Sequence, residues 1–185
     1  RVDADGGLVF STYFGGNEDS DSGNAVAFDA AGNVYAAGQA SSGGLVLPIL
    51  SPLLGSSDNA FINKYSPTGT LLYDQLLGGT GVDYATGLAV DAAGNAYVVG
   101  STRSGTLALD SDTLAVNGDD ATLSGAVDGF LVRLDGAGGH VYSTFVGGSD
   151  NDTVTGVAFA GDGKAYVVGE TKFRNSGNLA TTAGA

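Results

Sequence analysis

Two short runs of this 185-residue chain set carboxylates at alternate positions, "NEDSD" at 17–21 and "SDNDT" at 149–153. That spacing is how calcium loops gather hard oxygen ligands, so Asp19 with Asp21, and Asp150 with Asp152, are candidate calcium ligands. Neither run holds the further ligands of an EF-hand. The same residues also read as solvated turns, or as side chains bonding nearby loop amides. Asp21, Asp83 and Asp152 recur at one place in three related segments. Bonding of loop amides beside a Gly-Gly turn accounts for that recurrence without three metals. "DADGG" at 3–7 looks similar, but its counterparts "SPTGT" and "DGAGG" do not keep the pattern, which makes it an acidic tight turn.

Other chemistry finds little support. The one histidine, His140, aligns with Leu8 and Leu71 in a strand. A Ser-His-Asp triad needs that imidazole beside a positioned serine and acid, so a half-exposed strand variant is the expectation. The absence of cysteine rules out a thiol nucleophile, a disulfide framework and a zinc–thiolate site. The Gly-Gly pairs precede neither a helix nor a Gly-Lys-Ser/Thr, which excludes a phosphate-binding loop. Paired carboxylates could serve a glycosidase or lyase at separations of about 5–9 Å, a distance the sequence does not give. The chain is expected not to be an enzyme.

What positions these residues is a repeat. "DAAGNVYAAG" at 29–38 returns as "DAAGNAYVVG" at 91–100 and more weakly as "AGDGKAYVVG" at 160–169. The echo extends to "RVDADGGLVFSTYFGG" (1–16), "KYSPTGTLLYDQLLGG" (64–79) and "RLDGAGGHVYSTFVGG" (133–148). Units of roughly 1–63, 64–132 and 133–185 follow, the last incomplete. Each repeated phrase is two alternating apolar strands around a Gly-Asn turn, which is a β-hairpin. With an "AF" or "GF" strand and the strand before Gly-Gly, a unit has four strands. Strands are expected near 8–14, 24–29, 33–39, 59–65, 70–77, 86–91, 95–101, 129–134, 140–146, 155–160 and 164–169. A multi-stranded period of this length reads as propeller blades. Tyr35, Tyr97 and Tyr166 share one position, and filling the gap between blades is their expected role.

"STYFGG", "STFVGG", "AVAFDAAGNVYAAG" and "NAFINKYSPTGTLLY" resemble the SBBP family, a bacterial seven-bladed β-propeller repeat. The resemblance covers the chain outside the variable stretches 40–57 and 102–127. It implies an all-β propeller segment in a secreted or cell-surface protein, and it supplies no catalytic residues. The third copy departs from the pattern, with Ala160 and Lys164 in place of Asp and Asn. By analogy with related propeller repeats, the hairpin strands are the inner two of each four-stranded antiparallel blade. The chain then holds two complete blades and a partial blade at each end. With no methionine, it is expected to be a processed product or a fragment whose partners are further blades, other copies or a larger extracellular assembly.

Twenty acids against seven bases give a formal net charge of −13. Such a surface repels phosphate backbones and anionic lipid, so nucleic-acid binding is not expected. The apolar stretch 45–54 is too short to span a bilayer, and no membrane insertion is expected. Strand alternation sends the Gly-Gly loops and the long variable loops to one face. That face collects Asp83, Asp110, Asp112, Asp119 and Asp120 with the candidate calcium ligands. A protein- or glycan-binding surface is the expected use of it. A secreted carbohydrate-active enzyme, working through carboxylates of the same face, is the alternative.

Overall fold

The structure, a computed structural model, describes residues 1–14, 21–41, 57–109, 112–113, 121–160 and 163–172. The described residues form strands and turns without helix. In chain order the strands are β1 (Ser22–Phe28), β2 (Val34–Ala40), β3 (Asn59–Tyr65), β4 (Leu71–Gly78), β5 (Asp83–Val90) and β6 (Ala96–Thr102). They continue as β7 (Ala108–Leu109), β8 (Asp112–Thr113), β9 (Asp128–Leu134), β10 (His140–Val146), β11 (Asp152–Phe159) and β12 (Ala165–Thr171). The antiparallel order β1-β2-β3-β4 is one blade and β5-β6-β9-β10 the next, and β11-β12 is the opening hairpin of a third.

β1, β5 and β11 begin earlier than expected, at Ser22, Asp83 and Asp152, and two further features differ from the expectation. Residues 8–14 are not a strand; Val2 and Leu8 form only an isolated bridge. An outer strand exists by pairing with the third strand of its own blade, and residues 1–14 contain no such partner. The short β7 and β8 also had no signal. They extend the first blade's edge, with Leu77 opposite Leu109 and Gly78 opposite Ala108. The variable stretch after the second hairpin therefore reaches back and covers an edge that would otherwise leave backbone groups unpaired.

The repeated ten-residue phrase explains the hairpin atom by atom. Gly32, Gly94 and Gly163 sit at φ of 79°, 81° and 85°, a region most side chains resist. Asp29 is the hub of the first turn. Its Oδ1 accepts from the N–H groups of Ala31 (3.0 Å) and Asn33 (2.9 Å), and its Oδ2 from Asn33 Nδ2 (2.8 Å) and Tyr35 Oη (3.1 Å). Asp91 does the same with Ala93, Asn95 and Tyr97. Burial pushes both carboxyls up, but the hydrogen bonds of the turn, from Asn33 and Tyr35 to Asp29 and from Asn95, Ala93 and Tyr97 to Asp91, with Lys64 near Asp29, together outweigh it and hold them below the usual carboxylate range.

The glycine that closes the phrase answers a β-bulge. Register slips between Gly23 and Ala25, between Ala85 and Gly87, and between Val154 and Gly156. The opposing residues are Gly38, Gly100 and Gly169. A Cβ there would lie 1.9 Å from Ser22 O, 1.8 Å from Tyr84 O and 2.0 Å from Thr153 O. No side chain fits. The bulge in turn re-aims the extra residue toward the next blade. Asn24 Nδ2 donates to Ala85 O at 2.8 Å, and Thr86 Oγ1 donates to Val154 O.

Blades stack face to face, β5 on β1 and β2, then β11 on β5 and β6. The core between them contains Tyr35, Ala37, Ile62, Leu77, Ala85, Val98, Phe130, Val132, Leu134 and Phe145. Each large side chain fully buried here contributes about 1.5–3 kcal/mol. Tyr35 and Tyr97 fill the gap between blades as expected, Tyr97 stacked on Phe159 with centroids 5.2 Å apart. Tyr166 does not; it is 55% exposed, because no described residue packs on the outer face of β12.

Candidate functional site

Each Gly-Gly turn of the second and third copies is fastened by the aspartate that follows it. Gly79 N–H donates to Asp83 Oδ2 at 2.9 Å, and Gly148 N–H donates to Asp152 Oδ2 at 2.6 Å. Asp83 also accepts from Thr102 Oγ1 and, at 2.8 Å, from Ser104 Oγ. In the first copy Asp21 Oδ1 accepts the Ser41 N–H at 2.8 Å. The role expected for this recurring aspartate beside Gly-Gly is displayed by Asp83 and Asp152, while the Gly15-Gly16 pair before Asp21 lies outside the described residues.

That role moves several candidates off the surface. Asp83, expected on the binding face, is fully buried. Its strand starts at Asp83 rather than 86, so the side chain turns inward against Gly78 and Gly79 instead of projecting from a loop. Burial pushes its carboxyl pKa up, against the pull of the Thr102 and Ser104 hydroxyls. Asp152 is 3% exposed, with Oδ1 lacking a hydrogen-bond partner. Asp21 and Asp150 are half-buried. Asp112 lies in β8, and Asp19, Asp110, Asp119 and Asp120 lie outside the described residues. Among the described residues no group of three or more potential ligand side chains comes together.

Two carboxylates of neighbouring blades do converge. A Cβ at Gly147 would lie 2.8 Å from Asp152 Oδ2 and 3.2 Å from Asp128 Oδ1. Asp128 is fully buried. It accepts from Ser124 N–H at 2.7 Å and Gly125 N–H at 3.2 Å, which ties down the end of the variable loop. His140 is half-buried, its Nε2 is without a hydrogen-bond partner, and burial lowers its pKa. It stands in β10, a strand variant as expected.

The sequence reading missed the bases. Arg1 Nη1 donates to Pro67 O at 3.0 Å, and Lys64 Nζ donates to Gly136 O at 2.8 Å, the same bond in successive copies. Lys64 also sits 4.9 Å from the Tyr35 ring centroid and 3.9 Å from Asp29 Oδ2. A second set, Arg103 and Lys172, lines a cleft of about 270 Å³ between the second and third blades. The signal is in the sequence: Arg103 and Lys172 occupy one repeat position.

The family model for SBBP, a beta-propeller repeat, matches residues 9–45 and 73–105. The chain is 34% identical over 130 residues to a protein named regulatory protein FlaEY, from Caulobacter vibrioides. That alignment takes in 70% of this chain and 13% of the relative, so the chain spans a small part of the relative's length.

Proposed function

We propose, for a chain that carries SBBP β-propeller repeats, that it works as a non-catalytic extracellular or cell-surface scaffold. Its blades stack with further copies of the repeat, and its loop face binds protein or glycan. The observation that carries the reading is the recurrence of inter-blade bonds in register. Base to turn carbonyl occurs as Arg1–Pro67 and Lys64–Gly136, and Arg133 is next in that series. Bulge residue to strand carbonyl occurs as Asn24–Ala85 and Thr86–Val154, and Thr155 is next. Arg133 Nε is buried without a hydrogen-bond partner, and Thr155 is exposed, its Oγ1 donating to Val168 O at 3.2 Å as Thr86 Oγ1 does to Val99 O. Those groups are prepared for a turn and a strand of one more unit. An unpaired buried donor costs about 1–3 kcal/mol, which a docked carbonyl would recover.

The non-catalytic part is supported by how the carboxylates are used. Asp83, Asp128 and Asp152 each accept turn N–H groups, which is structural work. The charge of −13 fits a protein that meets salt and divalent cations outside the cell. The name of the Caulobacter relative, a regulatory protein, fits a part played through contacts. Sedimentation of purified 1–185 tests the stacking. Concentration-dependent association, lost in Val168→Asp, is the expected result. A monodisperse monomer that unfolds cooperatively would sink the reading.

A further inference from the structure

The cleft between the second and third blades is built from one repeat position written twice. Tyr84, Ser101 and Arg103 line it from the second blade, and their counterparts Thr153, Glu170 and Lys172 from the third. Main-chain bonds fix where each base emerges: Arg103 N–H donates to Val82 O at 3.1 Å, and Lys172 N–H to Asn151 O at 3.0 Å. The whole chain has seven bases in a field of 20 acids, so two in one small cleft is a local reversal of sign. Neither is ion-paired among the described residues, where the acid–base contact is that of Lys64 with Asp29. The Arg103 and Lys172 side chains are exposed.

We propose that this cleft binds an acidic sugar of the hexuronate class. Arg103 and Lys172 take the carboxylate, for which a guanidinium fork and an ammonium are suited donors. The rest of the lining selects the body of the ligand. Glu170 repels a bare multivalent anion such as phosphate, yet it accepts hydrogen bonds from hydroxyl groups. Ser101 and Thr153 offer hydroxyls that donate and accept, and the Tyr84 ring offers an apolar surface. One negative charge beside several hydroxyls is the ligand this set fits. The volume lies just under the range of about 300–1,000 Å³ usual for small-molecule sites, which suits a single ring.

The proposal rests on the reading of the chain as a binding scaffold. Titration of 1–185 with galacturonate, followed by calorimetry and by NMR shifts, tests it against galactose, acetate and inorganic phosphate. Galacturonate is expected to saturate at least tenfold below the other three. Arg103→Gln and Lys172→Gln should each weaken it by roughly tenfold or more, the worth of a charge-assisted bond. Glu170→Ala should weaken galacturonate without weakening phosphate. All three positions are exposed, so unchanged melting temperatures check that the fold is intact. Galacturonate binding no tighter than acetate or galactose, phosphate binding more tightly, or variants that bind like the wild type would overturn the assignment. New reducing ends from an oligogalacturonate would overturn the non-catalytic reading and support the cleft.

Discussion

One aspartate organises each of the first two hairpin turns, and the third copy shows what that residue adds. Ala160 and Lys164 replace it and its asparagine, yet the backbone closes alike: Ala160 N–H donates to Lys164 O at 2.9 Å, against 3.1 Å for Asp29 with Asn33. The positive-φ glycine therefore makes the turn, and the aspartate locks it. Asp91→Ala should cost about 1–3 kcal/mol near neutral pH, for lost bonds and stranded donors. Because its folded pKa is depressed, the contribution is complete above the ordinary carboxylate value of about 3.9 and fades as pH falls through the folded value. Melts at pH 7 and pH 3 should show the gap to wild type closing at the acid end. Conversely, Ala160→Asp with Lys164→Asn should raise the melting temperature at pH 7. An Asp91→Ala variant that melts with wild type at pH 7 would remove the locking role.

At the scale of elements, the first strand of each blade is a fastener as well as a wall. Its bulge turns Asn24 or Thr86 outward to bond the neighbouring blade, and the carbonyl just before the bulge, Ser22 O or Tyr84 O, needs a glycine opposite. Gly100→Ala puts a methyl 1.8 Å from Tyr84 O and must shift the β5–β6 pair. The expected loss is about 2–4 kcal/mol, beyond a routine surface change, with faster exchange of the β5 and β11 amides. Thr86→Val keeps the shape and removes one donor, for about 1 kcal/mol. Denaturant unfolding separates the two. If Gly100→Ala cost no more than Thr86→Val, the bulge would not be the constraint described.

For the whole molecule the controlling quantity is charge. Thirteen net negative charges repel one another within a compact body. Raising monovalent salt should therefore raise the melting temperature, by roughly 2–4 °C per kcal/mol of relieved repulsion. Millimolar calcium at matched ionic strength should add to that rise. The addition should shrink in Asp19→Asn/Asp150→Asn, positions chosen because Asp21 and Asp152 also accept loop amides. Equal melting in calcium and in chelator would remove the calcium expectation and leave the salt response untouched.

Periodicity made the fold legible, because a repeated local rule imposes a repeated local structure. Alternation gave strands, Gly-Asn gave hairpin turns, and the order of segments gave blades whose hairpin strands begin each sheet. The recurring aspartate beside Gly-Gly was legible for the same reason. Long-range placement was not. Whether an aspartate at a strand's start faces solvent or turns under its loop depends on where the ladder begins, and the ladder of β5 begins three residues earlier than alternation suggested. That shift carried Asp83 inside. The pairing of β7 with β4, the bulge that aims Thr86 at Val154, and the meeting of Arg103 with Lys172 join residues far apart in the chain. The sequence determined the unit, since its turn glycines and apolar alternation act within a few residues; the stacking of one unit on the next decided which polar groups would face each other.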